Sequence, residues 1–110
     1  SFDSLAVRAI SSSVEFLDNS TWNYPDALNQ NDLINSTSNW SSGPVVIGTF
    51  ANAGQFNGMG EKYLGIRILE GNNFKYGWIR LKCSQRNDTL NIYDYAFNTN
   101  LNQEILANQK

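Results

Sequence analysis

Histidine is absent from the 110-residue chain. Its absence removes both the side chain most used as a general base near neutral pH and the commonest metal ligand. The single cysteine, Cys83, excludes an internal disulfide and any multi-cysteine metal site. Long apolar runs are missing too. The longest, Pro44-Val45-Val46-Ile47, falls far short of the roughly 20 residues a membrane-spanning helix needs, so no membrane span is expected. Charged residues are only 16% of the chain, and the eight Lys and Arg are scattered. With a net charge of -2 and a pI near 4.8, the chain lacks the basic footprint of a nucleic-acid binder. Gly54 to Gly60 lacks the Lys-Ser/Thr ending and following helix of a phosphate loop.

What is present is apolar and neutral polar material. Hydrophobic residues make up 41% and aromatics 13%, enough to bury a core and to exclude wholesale disorder. The length suits one domain, 1–110, with residues 1–20 expected to be an incomplete N-terminal portion of a longer module. Asparagine occurs sixteen times and serine eleven times. Cytosolic domains rely more on Lys and Glu, so this surface points to an exported protein, secreted, periplasmic or at the cell surface. No signal peptide is present, and the chain opens at Ser1 without Met, as a processed chain does.

The clearest local pattern is a β-hairpin over residues 63–83. Leu64, Ile66 and Ile68 alternate, as do Ile79, Leu81 and Cys83, with Gly71, Asn72 and Asn73 as turn residues between them. Strands are expected at 62–69, 74–83 and 89–97, and at 45–50, where β-branched residues dominate. A short strand is expected at 14–17, and 32–35 and 105–107 are candidates for two more; 5–10 reads either as a strand by alternation or as one or two helical turns. Residues 36–43 read as a loop carrying Trp40. Pro25 bars a regular central strand across the 19–44 segment. About six to eight short strands with turn signals every eight to twelve residues predict an all-β fold. The expected form is a single antiparallel β-sandwich, jelly-roll-like or related.

The strings Glu61-Lys62-Tyr63-Leu64-Gly65-Ile66-Arg67-Ile68, Phe74-Lys75-Tyr76-Gly77-Trp78-Ile79-Arg80-Leu81 and Leu90-Asn91-Ile92-Tyr93-Asp94-Tyr95-Ala96-Phe97 form a set. Together they resemble an uncharacterised β-sandwich module of exported, Bacteroidetes-type bacterial proteins with a Tyr-Gly-Trp hairpin motif. Glu104-Ile105-Leu106-Ala107-Asn108-Gln109 resembles the family's hydrophobic ending. Leu28 to Ile34 followed by Trp40 resembles its Leu-Xaa-Xaa-Gly-Asp-Xaa-Ile…Trp element, with Asn31 where Gly is usual. The resemblance covers residues 28–109, most closely 61–97. It implies an exported module and brings no catalytic residue with it.

Phe74, Tyr76 and Trp78 share one strand face, and Tyr93, Tyr95 and Phe97 repeat the spacing on the next strand. Such a stripe either fills a core or stacks on sugar rings. If Ile79, Leu81, Cys83, Leu90 and Ile92 are core, the stripe lies on the opposite face. The 19–44 segment, carrying Trp22, Tyr24 and Trp40, is expected to cover it. Left open, the stripe would be a ligand platform of Trp78, Tyr76, Trp40 and Arg80 for a glycan or another surface protein. Arg80 shares the face of Trp78, and alternation puts Asp94 with Leu90 and Ile92. Glu61, Glu70 and Asp94 are the carboxylates to test for glycoside hydrolysis, which needs two of them roughly 5–9 Å apart, but nothing in the sequence pairs them. Asp26, Asn29, Asn31 and Asp32 lack EF-hand spacing and read as turn formers. Cys83, on the face of Ile79 and Leu81, reads as a buried inert thiol. The expected protein is therefore a non-catalytic module with no cofactor and no metal.

Overall fold

The computed structural model describes residues 5–7, 13–18, 25–42, 45–48, 56, 58–84 and 89–110. Among them are nine strands and no helix: β1 (Leu5–Val7), β2 (Val14–Leu17), β3 (Leu33–Ile34), β4 (Trp40–Ser41), β5 (Val45–Gly48), β6 (Glu61–Glu70), β7 (Asn73–Cys83), β8 (Leu90–Phe97) and β9 (Ile105–Leu106). Every pairing is antiparallel. The strands form a five-stranded sheet in the order β4-β2-β6-β7-β8 and two two-stranded sheets, β1-β5 and β3-β9. The protein is all-β. Among the described residues no helix is long and apolar enough to cross a membrane.

The long β6–β7 hairpin is the spine. Ten pairs run from Glu61↔Lys82 to Glu70↔Asn73, so the turn is two residues, Gly71-Asn72, and Asn73 already belongs to the second strand. Gly71 has φ 62°, the conformation that a tight hairpin requires at its first turn position when Gly occupies it. Trp40 lies in β4, where a loop was expected. Leu17 and Phe16 pair with Trp40 and Ser41, which draws the short segment onto the end of the sheet. Leu28 extends the far side of β6: Leu28 and Tyr63 exchange both backbone hydrogen bonds at 3.0 Å.

Alternation along these strands fills both faces of the five-stranded sheet. Phe16, Leu64, Ile66, Leu81 and Cys83 pack with Phe56 on one face. Leu17, Tyr63, Tyr76 and Trp78 project from the other and meet Leu28, Ile34, Ile105 and Ala107. The β3-β9 pair therefore closes over the aromatic face. Its covering residues come from 25–42 and from 105–107. Trp22 and Tyr24, expected to help, lie outside the described residues.

A β-bulge interrupts β8. Arg80 faces Asp94, but the next residue, Leu81, faces Ile92, so Tyr93 is the extra residue. One inserted residue reverses the facing of everything beyond it. Leu90 and Ile92 stay on the aliphatic face, whereas Asp94 crosses to the aromatic face beside Arg80. This corrects the expectation that Asp94 shares a face with Leu90 and Ile92. Strict alternation held on each side of the bulge and failed across it.

Candidate functional site

The chemistry is concentrated on the aromatic face. β7 delivers Phe74, Tyr76, Trp78 and Arg80 to it, β6 delivers Glu61, Tyr63 and Arg67, and β8 delivers Asp94. Trp78 is 0% exposed and Tyr76 2%. The Tyr63 ring meets Trp78 edge-on, with centroids 5.2 Å apart at 85°. Trp40 tilts against Tyr76 at 5.8 Å, and Phe74 against Tyr76 at 6.3 Å. Such pairs add modestly to the large area these rings bury. Of the four ligand-platform candidates, Trp78 and Tyr76 are thus core residues. A stacking platform needs an open ring face, and theirs are closed by Leu28, Ile34, Ile105 and Ala107. Trp40 is half-buried, packed against the same cluster, and Arg80 is bound into an ion-pair network.

Both described indoles are pinned by main chain. Trp78 donates its Nε1–H to the carbonyl of Gln109 at 2.9 Å, and Trp40 donates to that of Asn35 at 3.1 Å. A buried indole N–H needs such an acceptor, so each pin fixes the position of a covering segment. Arg67 adds a third clamp. Its guanidinium lies 3.9 Å from the Phe74 ring centroid and 4.8 Å from that of Trp40, and it pairs with Glu15, directly opposite on β2, at 2.6 Å.

Arg80 organises the charges. Its Nε and Nη2 donate to Asp94 Oδ1 and Oδ2 at 2.8 and 3.2 Å, the bidentate fork that suits a carboxylate. Its Nη1 lies 3.4 Å from Glu61 Oε1, and its guanidinium is 5.5 Å from the Tyr93 ring. Lys110 adds a second cation to Asp94 at 3.1 Å. Glu61 and Asp94, unpaired by any sequence signal, therefore meet around one guanidinium. Glu70 stands apart, paired with Lys75 at 3.0 Å. Desolvation pulls the Asp94 pKa upward, but the hydrogen bond from Lys110 and the charge and hydrogen bond of Arg80 outweigh it and hold it below its ordinary 3.8. For Arg80, desolvation acts downward and Asp94 and Glu61 reverse it, so its pKa is raised. A glycosidase general acid needs a carboxyl held protonated by a raised pKa; Asp94 is shifted the other way.

The 29–32 turn is closed by Asn29 and Asp32. Asn29 donates its N–H to Asp32 Oδ2 at 2.7 Å, Asp32 returns one to Asn29 O, and Asn31 takes the left-handed conformation at φ 72° that Asn tolerates. Lys62 places its ammonium on Asn29 Oδ1. Among the described residues no group of three or more acidic, Cys or His side chains could hold a metal. Cys83 is buried. An open cavity of about 160 Å³ lies beyond the end of β8, lined by Phe97, Asn98, Thr99, Ile105, Gln109 and Lys110.

Two participants escaped the sequence reading. Tyr63 sits opposite Arg80 in the hairpin register, a placement readable from the turn once its length is known. Nothing local marks Lys110, which reaches Asp94 only through tertiary packing. Compared with known proteins, the chain matches no family, no curated protein and no solved structure.

Proposed function

We propose that the chain is a non-catalytic module of an exported bacterial protein, built as an antiparallel β-sandwich of the jelly-roll-like kind, with a structural, adhesion or assembly role. The observation that carries this reading is the Arg80 network. The two carboxylates that come together, Glu61 and Asp94, share a guanidinium at 3.4 and 2.8 Å, and Asp94 is further neutralised by Lys110. Carboxylates so engaged serve as tethers between strands: each is held against the guanidinium of the neighbouring strand. The aromatic row supports the same reading: Trp78 and Tyr76 are buried, and the Trp78 indole holds the covering segment at Gln109. The Tyr-Gly-Trp hairpin and the Asn- and Ser-rich composition support export.

Two measurements test the proposal. Incubation with chromogenic glycosides and esters should give no turnover above buffer. Hydrolysis that disappears in Glu61→Gln or Asp94→Asn would overturn the non-catalytic reading. Fractionation of the native cells, followed with an antibody to the chain, should place it in the envelope or the medium. Recovery in the cytosol would overturn the exported one.

A further inference from the structure

Residues 105–110 cross the aromatic face as a strap. Ile105 and Leu106 pair with Ile34 and Leu33, a ladder of two residues. Ala107 donates its N–H to Asp32 O, and Asn31 donates to Ala107 O, both at 2.9 Å. Beyond that the strap folds on itself. Leu106 N–H bonds Gln109 Oε1, Gln109 N–H bonds Leu106 O, both at 2.9 Å, and Asn108 takes φ 78°. Its far end is held by the Trp78 indole on Gln109 O and by Lys110 on Asp94.

The chain just before the strap is tied down separately. Asn102 donates its N–H to Phe74 O at 2.7 Å and accepts from Phe74 N–H at 3.0 Å, and its amide donates to Asn73 Oδ1 at 2.8 Å. Asn98 Nδ2 donates to Glu104 O at 2.8 Å. A firmly held base at 98–104 therefore meets an arm whose buried apolar anchors are Ile105 and Ala107. One flank of that arm borders the open cavity at Phe97–Thr99. The ten-pair β6–β7 ladder beneath it is far more extensively bonded. Regions with few apolar anchors and short ladders are those that open below the global unfolding free energy.

We propose that residues 105–110 open as a unit while the five-stranded sheet stays folded, and that the Lys110–Asp94 ion pair sets how often they do. Opening lifts the carbonyl from the Trp78 indole and the side chains of Ile105 and Ala107 from the aromatic cluster. The Trp78 ring then loses the part of its cover that Ile105 and Ala107 supply, while Leu28 and Ile34 stay in place. Asp94 is faced by Arg80 from β7 and Lys110 from the strap, with Glu61 of β6 on the far side of Arg80 and the Tyr93 and Tyr63 rings beside it. Loss of Lys110 therefore leaves Asp94 paired and the sheet intact. The inference does not depend on the module being non-catalytic.

Native-state hydrogen exchange on the 110-residue chain, read by NMR, tests it. The Trp78 indole proton and the amide protons of Asn31 and Ala107 report on the strap, and the slowest amides of β6 and β7 report on the whole fold. The three strap protons should exchange together, at least about tenfold faster than those slowest amides. Lys110→Gln should speed the three by about two- to fivefold, the size of effect an exposed ion pair supports, and leave the β6 and β7 amides unchanged. Strap protons that exchange at the rate and with the denaturant dependence of the slowest amides would overturn the opening. A Lys110→Gln variant that leaves the strap protons unaffected, or speeds all protons alike, would overturn the role given to the ion pair.

Discussion

The two faces of the central sheet bury comparable material by different means. One is filled by Phe16, Phe56, Leu64, Ile66, Leu81 and Cys83, whose attraction is non-directional and scales with area. The other combines Trp78, Tyr76 and Tyr63 with two indole hydrogen bonds and the Arg67 and Arg80 ion pairs. Apolar burial dictates how much surface must be covered. The indoles and guanidiniums dictate which segment covers it and where, because their partners must sit within hydrogen-bond reach. Both faces thus contribute apolar burial, and the aromatic face adds selection among alternative coverings.

The largest effect should come from Trp78→Ala, at about 4 kcal/mol, with Leu64→Ala on the other face at about 3 kcal/mol, both from lost burial and cavity formation. Urea unfolding measures each. Similar values would mean the faces share the load, whereas a Trp78→Ala cost under that of Leu64→Ala would break the contrast. Gly77→Ala follows. Its added Cβ would lie 2.5 Å from both the Ala96 carbonyl and the Phe97 ring, and forcing the outer strand away costs about 1–3 kcal/mol. Gly65→Ala, which would crowd the Leu17 side chain at 2.8 Å, should cost less, since a side chain yields more readily than backbone.

Trp78→Phe isolates the directional part. It keeps an aromatic ring and leaves the Gln109 carbonyl without its donor, at a cost of about 1–3 kcal/mol including the smaller ring. A variant as stable as the parent would show that the indole N–H selects nothing. The smallest effect is ionic. Because the folded-state pKa of Asp94 is depressed, its contribution is present above its ordinary value and lost as pH falls through the lower folded value. Asp94→Asn should therefore be less stable than the parent near about pH 7, with the gap shrinking as pH falls below the carboxyl's ordinary 3.8. A gap that persists in acid would mean that Asp94 acts through its shape and not its charge.

The sheet was readable where periodicity is local. Alternation and the turn residues Gly71, Asn72 and Asn73 placed the hairpin within a residue or two of its ends, and strands were readable at 14–17 and, one residue too long, at 105–107. The aromatic row could be assigned to one face but not to inside or outside, because two-sided burial looks the same as one-sided exposure in a single strand. Its cover is brought by Ile34 and Ile105, residues far apart in the chain. The Arg80–Asp94 pair was hidden for another reason. It depends on Tyr93 being surplus to the ladder, and no residue at 92–94 signals a bulge.

That surplus residue has a consequence at the rim of the sheet. β8 is one of the two edge strands of the five-stranded sheet and carries exposed Ile92, at 64%, and Tyr95, at 67%. A flat strand of eight residues with such side chains is a template for strands of other molecules, and stacking of that kind leads to fibres. The bulge bends the strand and breaks the spacing of its outward amides and carbonyls. It also turns the strand's one charge toward its neighbour, a device that natural sheets use to blunt an open rim. The bulge that brings Asp94 to Arg80 thus also makes the rim of β8 a poorer template for another strand.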